Sequence, residues 1–176
     1  MNAIKILPHY TYSDYLHWEG KWEVIEGIPY AMSPAPVPAH QRISSNLSIE
    51  FGNPLKQCNK CNIYQPIDYL ISEDTILQPD LLIVCGEIKK KFLDFPPALV
   101  VEILSPSTAL KDRHTKYSLY QNQGIKYYII VDPDTKEAEV YQFENGQYIL
   151  QQKGENFNFS FQLEDCSAVV NFGEIW

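Results

Sequence analysis

The sequence predicts an α/β fold in which a mixed β-sheet carries helices on its faces. Residues 81–84 are a continuous apolar run, and residues 99–104 are apolar except for Glu102; both are typical of strands buried on both faces. A third such run, 126–131, follows a helical stretch that begins near Ser105 and stops at Gly124. Strand, helix and strand in this order form a parallel crossover, which is right-handed almost without exception.

The N-terminal half supplies four further elements before the first buried strand. A short helix is predicted over residues 11–18 from a Thr or Ser cap, and a hairpin over 22–32 from a Gly-containing turn. Apolar residues spaced four apart predict a helix over 40–55, and partial alternation predicts a strand over 62–71. These elements place antiparallel strands on the N-terminal side of the sheet.

The C-terminal part reads as further β-structure. An Asn145-Gly146 turn between two alternating segments predicts a hairpin over residues 140–150, and residues 157–176 are expected to add more strand. A Pro-rich loop is predicted over residues 34–38. A chain of 176 residues is most simply one domain, so we expect a single domain over 1–176.

Composition narrows the class of protein. The formal net charge of −8 argues against binding of nucleic acid through a broad basic surface. No apolar stretch is long enough for a membrane span, and the N-terminus lacks the features of a signal peptide, so we expect a cytoplasmic protein without a membrane partner. The four cysteines, which include a lone Cys58-x-x-Cys61 pair, are therefore expected to be reduced thiols.

Two acids on neighbouring core strands carry the functional prediction. Glu102 stands inside an apolar strand, and Asp80 stands at the mouth of the preceding one. A buried carboxylate costs several kcal/mol, roughly, unless a cation compensates it. Mg²⁺ takes one or two carboxylates together with water and phosphate oxygens, so both residues are candidate Mg²⁺ ligands, with Mn²⁺ as a substitute. Such a site suits the hydrolysis of a phosphodiester bond.

Six motifs occur together along the chain. They are Trp22 to Gly27, Met32-Ser33-Pro34 followed by His40, Pro79 to Val84, Leu99 to Thr108, Asp112 with Lys116 and Tyr120, and Gly124 to Pro133. In these motifs the chain resembles the Uma-type family of restriction endonuclease-like nucleases in the PD-(D/E)XK superfamily. The resemblance covers roughly residues 10–170 and implies a restriction-endonuclease-like fold, Mg²⁺ dependence and DNA cleavage. It also implies that Glu26, in the N-terminal part, is a further acid close to the metal.

The chain departs from the superfamily pattern two residues after Glu102, where Leu104 replaces the usual lysine. The crossover helix runs back along its strand, and a lysine side chain leans toward the helix start, so Lys116 can reach Glu102. We therefore predict that Lys116 stabilises charge in the reaction. The alternative for Lys116 is an ordinary surface ion pair with Asp112, four residues earlier. His40 is expected to be a helix-start or packing residue.

Three functions remain open at this point. The first is a Mg²⁺-dependent DNA endonuclease with Glu26, Asp80, Glu102 and Lys116 as catalytic residues. The second is a catalytically inactive nuclease fold that serves as a dimeric interaction module, which the net charge and Leu104 favour. The third is a hydrolase of another phosphoester. A homodimer is expected because two sites suit the two-fold symmetry of duplex DNA.

Overall fold

The computed structural model describes residues 7–32 and 36–176. The loop predicted over residues 34–38 lies outside them at residues 34 and 35, as do Ser33 and Pro34 of the family motif. The helical elements are α1 (Tyr12–Tyr15), α2 (Pro38–Leu55), a π-helical segment (Lys111–Lys116) that continues into α3 (Tyr117–Asn122), and a 3₁₀ turn (Phe172–Glu174). In the part of the chain described, no helix is long and apolar enough to span a membrane.

Twelve strands in the described residues form three sheets. The strands are β1 (Trp22–Ile25), β2 (Ile28–Ala31), β3 (Cys61–Tyr64), β4 (Tyr69–Ser72), β5 (Thr75–Leu77), β6 (Leu81–Cys85), β7 (Leu99–Ile103), β8 (Tyr127–Asp132), β9 (Glu137–Glu144), β10 (Gln147–Gly154), β11 (Asn158–Leu163) and β12 (Cys166–Asn171). The largest sheet has the order β10-β9-β8-β7-β6-β3, and the smaller ones are β2-β1-β5-β4 and β11-β12.

The six-stranded sheet confirms the predicted mixed α/β fold. Strands β7 and β8 pair in parallel, and the π-helical segment with α3 connects them. The other neighbours in this sheet are antiparallel. All five residues of β7 are buried, as the continuous apolar run predicts.

The prediction of one strand over residues 62–71 is wrong, because this segment divides between two sheets. Residues 61–64 form β3 at the edge of the large sheet, whereas residues 69–72 form β4 at the edge of the four-stranded sheet. Pro66 lies in the break, where its missing N–H and fixed φ end the ladder. The resulting β4 pairs with β5, a three-residue strand too short to show a pattern in the sequence.

The four-stranded sheet has strands β2 and β1 at one edge. Strands β1 and β2 form the predicted hairpin, and its turn residues Glu26 and Gly27 both have positive φ, at 50° and 78°. A side chain at Gly27 would meet the His9 ring at 2.2 Å, so glycine is required there. Tight closure of this turn fixes the register between β1 and β2.

Two apolar clusters cover the two faces of the large sheet. One cluster contains α2 residues, the alternate residues Leu99, Val101 and Ile103 of β7, and the β11–β12 hairpin. The other contains Val100 and Leu104, together with residues of α3 and of the four-stranded sheet. Glu102 lies between Val100 and Leu104 in the two-residue alternation and shares their face, so its side chain enters the layer beneath the crossover helix.

The expectation of reduced thiols is wrong in this structure. Cys58 pairs with Cys166, and Cys61 pairs with Cys85, so none of the four cysteines is free. Cys61 and Cys85 lie opposite each other in the β3–β6 ladder, and the other bridge joins residues 108 positions apart. A cysteine count cannot show such pairings, because they depend on which strands become neighbours.

We expect the folded, unreduced protein to resist thiol alkylation, because all four sulfurs are in disulfides. Intact-mass measurement after iodoacetamide treatment checks this. The mass should stay unchanged without reductant and should rise by four adducts after denaturation with reductant. Four adducts on the native, unreduced protein would contradict the pairing.

Candidate active site

Strand pairing brings the two predicted acids together. Strands β6 and β7 are antiparallel, with Leu81 opposite Val101 and Leu82 opposite Val100. One step further along this register, Asp80 lies opposite Glu102, where directly opposed side chains point to the same face. The Ile103 backbone N–H donates to Asp80 Oδ2 at 2.8 Å and holds that carboxylate at the end of the sheet.

The Lys116 ammonium lies at the centre of a buried group of carboxylates. Its Nζ is 2.7 Å from Glu23 Oε1, 2.9 Å from Glu102 Oε1 and 3.4 Å from Asp112 Oδ1. All four side chains are at most 3% exposed. The ion pair of Lys116 with Asp112 is therefore part of a buried network and not a surface pair. We call Glu23, Asp80, Glu102, Asp112, Lys111 and Lys116 the charge cluster.

The π-helical segment explains how two lysines reach one carboxylate. Lys111 donates to Glu23 Oε2 at 2.5 Å, while Lys116 lies against Glu23 Oε1. A π-helix bonds each residue to the fifth along, so residues five apart come closer to one face than they do in an α-helix. The Gln78 backbone N–H donates to Glu23 Oε1 at 3.0 Å and completes its environment. π-helical turns are frequent at functional sites.

Two buried tyrosines hold the cluster from the side of the sheet and from α3. The Tyr120 hydroxyl donates to Glu102 Oε1 at 2.6 Å. The Tyr128 hydroxyl donates to the Asp112 backbone carbonyl at 2.8 Å, within the π-helical segment. The two rings pack edge to face, with centroids 5.1 Å apart. Tyr120 thus orients the Glu102 carboxylate, and Tyr128 holds the backbone of the π-helical segment at Asp112.

His40 approaches the site from the start of α2. Its Nε2 lies 3.1 Å from Asp80 Oδ2, and its side chain is only 12% exposed. Burial acts to lower the His40 pKa, but the Asp80 carboxylate and the Ile103 backbone outweigh burial and raise it. His40 thus contacts a predicted site residue, which the sequence pattern alone does not indicate.

The cluster raises the pKa of three of its members, whereas at Glu23 burial is outweighed by Lys116 and Lys111, which lower the pKa. Burial, with added repulsion from the other acids, raises the pKa of Glu102 well above its usual range despite Lys116. Burial also raises the pKa of Asp112. Burial alone would lower the Lys116 pKa, but its three carboxylate neighbours raise it well above the ordinary value. Lys116 is therefore a permanent cation.

The cluster carries more negative than positive groups. Four carboxylates, from Glu23, Asp80, Glu102 and Asp112, face the ammonium groups of Lys111 and Lys116. One buried oxygen, Asp112 Oδ1, has no hydrogen-bond partner in the described part of the protein and is held only by the Lys116 ammonium at 3.4 Å. A weakly held buried carboxylate oxygen beside an excess of acidic groups is an environment that favours an additional cation.

The described residues contain no group of three or more His, Cys, Asp or Glu side chains arranged to hold a metal ion. Asp80 and Glu102 are only two carboxylates, and Mg²⁺ commonly takes one or two, completing its shell with water and phosphate oxygens. Carboxylate oxygens are hard donors, which Mg²⁺ prefers as ligands. The donor set therefore fits Mg²⁺ at Asp80 and Glu102, without a third protein carboxylate.

Glu26 does not join the cluster. Its side chain is exposed in the β1–β2 turn, and its backbone N–H donates to Thr75 Oγ1 at 3.1 Å. Glu23, three residues earlier, is the N-terminal acid that the structure places beside Lys116. Its sequence context, an acid within the run Trp22-Glu23-Val24-Ile25, carries the same signal of a buried charge as that of Glu102, so the sequence could have revealed it.

Leu104 packs in the apolar cluster beneath the crossover helix and supplies no charge. The ammonium at Glu102 comes from Lys116 on the helix that follows. In this structure the lysine beside Glu102 therefore comes from the neighbouring helical layer and not from position 104. The structure thus brings Asp80, Glu102 and Lys116 to one end of the sheet.

A solved structure and a protein family share this mixed α/β architecture. A crystal structure from Anabaena variabilis, of "a putative nuclease belonging to DUF820", superposes with a TM-score of 0.75 at 17% identity, covering 94% of this chain and 96% of that one. A family profile described as Uma2, "Putative restriction endonuclease", matches residues 12–167. A Synechocystis protein, "Uncharacterized protein slr1290", is 31% identical over 175 residues, which are 94% of this chain and 89% of that protein. The chain belongs to the Uma2 family of restriction endonuclease-like proteins.

We expect Lys116→Met to lower the free energy of unfolding by about 3–5 kcal/mol, because it leaves buried carboxylates without their cation. Without the ammonium, the pKa values of these carboxyl groups in the native state lie above their values in the unfolded chain. Between the two values of pH, the native state binds more protons than the unfolded chain does. Stability of the variant should therefore fall as pH rises through that window. Urea denaturation at several pH values measures both effects.

Lys90→Met is the matched control, since Lys90 forms an exposed ion pair with Asp94. Exposed pairs contribute about 0–1 kcal/mol, so this variant should unfold almost like the wild type. An equal effect of both substitutions would contradict the central role of the Lys116 ammonium.

Proposed function

We propose that this protein is a Mg²⁺-dependent DNA endonuclease in which Asp80 and Glu102 bind the metal and Lys116 stabilises charge. The observation that carries the proposal is the buried cluster in which one ammonium contacts three carboxylates at the end of a nuclease-type sheet. Membership of the Uma2 family supports a phosphodiester bond as the substrate. The cluster excludes bulk water from its charged groups, which strengthens their electrostatic effects.

The carboxylates of Asp80 and Glu102 are the candidate metal ligands. Bound Mg²⁺ supplies Lewis-acid polarisation of a phosphate oxygen and lowers the pKa of a coordinated water. Asp80 is oriented for this by the Ile103 N–H and His40, and Glu102 by Tyr120. Such supporting contacts hold ligating carboxylates in one orientation.

Lys116 acts in this proposal as a fixed positive charge and not as a base. Its carboxylate neighbours keep its pKa well above the ordinary value, so it stays protonated when the site works. A pre-positioned ammonium stabilises negative charge that develops on phosphate oxygens without reorganising. Glu23 takes the place expected for Glu26: it holds Lys116 and Lys111 against the site as a positioning residue.

A second candidate function is a nuclease fold without catalysis that serves as a dimeric interaction module. The saturation of Lys116 by three carboxylates favours it, because an ammonium so engaged must exchange a partner to contact a phosphate. The absence of a three-ligand metal group among residues 7–32 and 36–176 favours it as well. The homodimer stays a prediction under both functions.

We expect Glu102→Gln to abolish Mg²⁺-dependent cleavage of DNA while the protein stays folded. The amide keeps the shape and can still accept the Tyr120 hydrogen bond, but it loses the charge that binds a cation. Supercoiled plasmid and linear substrates, with Mg²⁺ or Mn²⁺ against EDTA, provide the assay. Glu87→Gln, at an exposed glutamate, is the control and should cleave like the wild type. Cleavage by Glu102→Gln at the wild-type rate would reject the assignment.

We expect divalent metal to raise the thermal unfolding midpoint of the wild type and to leave that of Asp80→Asn almost unchanged. Ligands that bind only the native state stabilise it by mass action. Differential scanning calorimetry with increasing Mg²⁺ or Mn²⁺ measures this shift. If millimolar metal changes the unfolding midpoint of neither protein, the result supports the interaction module and contradicts the metal-dependent function.

A further inference from the structure

A cleft opens beside the charge cluster, on the side of the crossover helix. It has a volume of about 530 Å³ and is lined by Tyr30, Ser107, Leu110, Lys111, His114 and Thr115. Its other five lining residues all come from the segment 107–115 that begins the crossover connection. A volume of this size is typical of sites that hold a small ligand or one unit of a polymer.

Tyr30 connects the cleft to the active site through strand pairing. It lies directly opposite Glu23 in the β1–β2 ladder, so the two side chains share a face. Residue Tyr30 is 39% exposed, and Leu110, which lines the same cleft, is 77% exposed. An exposed ring and an exposed leucine in a concave, partly polar cleft provide a surface for a flat apolar group.

Lys111 contacts both the Tyr30 ring in the cleft and Glu23 in the charge cluster. Its ammonium lies over the Tyr30 ring, 5.1 Å from the ring centroid, and donates to Glu23 Oε2. A base that stacks on the ring face away from this ammonium would place an attached anion within reach of Lys111, with the His114 ring as a second donor lining the same cleft. A flat ring joined to an anion is the chemistry of a nucleotide.

The overall charge of the chain restricts how a nucleic acid can be held. With 14 basic and 22 acidic side chains, the protein cannot rely on many phosphate contacts for affinity. Stacking of a base on an aromatic ring does not depend on net charge and is tolerant of sequence. It requires, however, that the base is not already stacked and paired inside a duplex.

We propose that this cleft binds one unpaired nucleotide of a DNA strand, with its base on Tyr30 and its phosphate at Lys111. The substrate class would then be single-stranded DNA, or duplex DNA with an unpaired nucleotide, and not an intact duplex. The proposal rests on the proposed nuclease function for its choice of DNA, but the cleft binds through contacts that need no metal.

Binding in EDTA tests the cleft independently of cleavage. Fluorescently labelled DNA is titrated with protein in three forms: a single strand, a blunt duplex, and the same duplex with one bulged nucleotide. Tyr30→Ala should weaken binding of the single strand and of the bulged duplex about tenfold or more, the range expected for loss of one stacked base. Tyr30→Phe keeps the ring and should restore binding of both.

Val169→Ala, at an exposed residue of β12, is the control for a general loss of surface apolar area and should bind like the wild type. Equal binding by Tyr30→Ala and the wild type, no binding of the single strand by the wild type, or a blunt duplex bound as tightly as the single strand would each overturn the proposal. A mononucleotide that competes as well as the strand would overturn the assignment to a polymer.

The two proposals can fail separately. If the protein cleaves DNA with metal but Tyr30→Ala does not weaken binding, the nuclease function is supported and the nucleotide site in the cleft is contradicted. If binding depends on Tyr30 but the protein cleaves no DNA, the nucleotide site is supported and the nuclease function is contradicted.

Discussion

The buried ammonium of Lys116 is the interaction on which this end of the molecule depends. It contacts carboxylates from three separate elements: Glu23 on β1, Glu102 on β7 and Asp112 on the π-helical segment. Without it, three buried acids would share one dry space and would carry the full cost of desolvation and mutual repulsion. The ion pairs therefore connect two strands of different sheets with the crossover helix.

The same arrangement leaves part of the negative charge at the site uncompensated. Burial and the excess of four carboxylates over the ammonium groups of Lys111 and Lys116 hold Glu102 with a raised pKa, and an oxygen of Asp112 has no hydrogen-bond partner within the residues that the structure describes. Proteins commonly place such unresolved charge where a ligand completes it. Tyr120 and His40 hold the carboxylates in place without removing their need for a further cation.

The sequence predicts the parts of this picture that follow from local patterns. Continuous apolar runs reveal β6, β7 and β8, and an acid inside or at the mouth of such a run identifies Glu102 and Asp80. The turn before β2 and the spacing within α2 are equally local. Lys116 can be inferred from helix geometry because its distance from Glu102 depends on one strand, one loop and one helix.

Other parts depend on contacts between distant segments, and the sequence shows them poorly. Glu23 carries a recognisable signal, yet its partnership with Lys116 requires two sheets to meet over the crossover helix. Lys111 reaches Glu23 because the helix opens into a π-turn, which its residue types do not indicate. The pairing of Cys58 with Cys166 depends on the β11–β12 hairpin lying against the end of α2.

The central claim is that the excess negative charge of the cluster is completed by a divalent cation. The most direct measurement is the pH titration of the Glu102 carboxyl by carbon NMR, with the Glu102→Gln variant used for assignment. Without metal the pKa should lie well above the usual glutamate range, and millimolar Mg²⁺ should lower it, because a bound cation favours the ionised form. A Glu102 pKa that Mg²⁺ leaves unchanged would contradict the account.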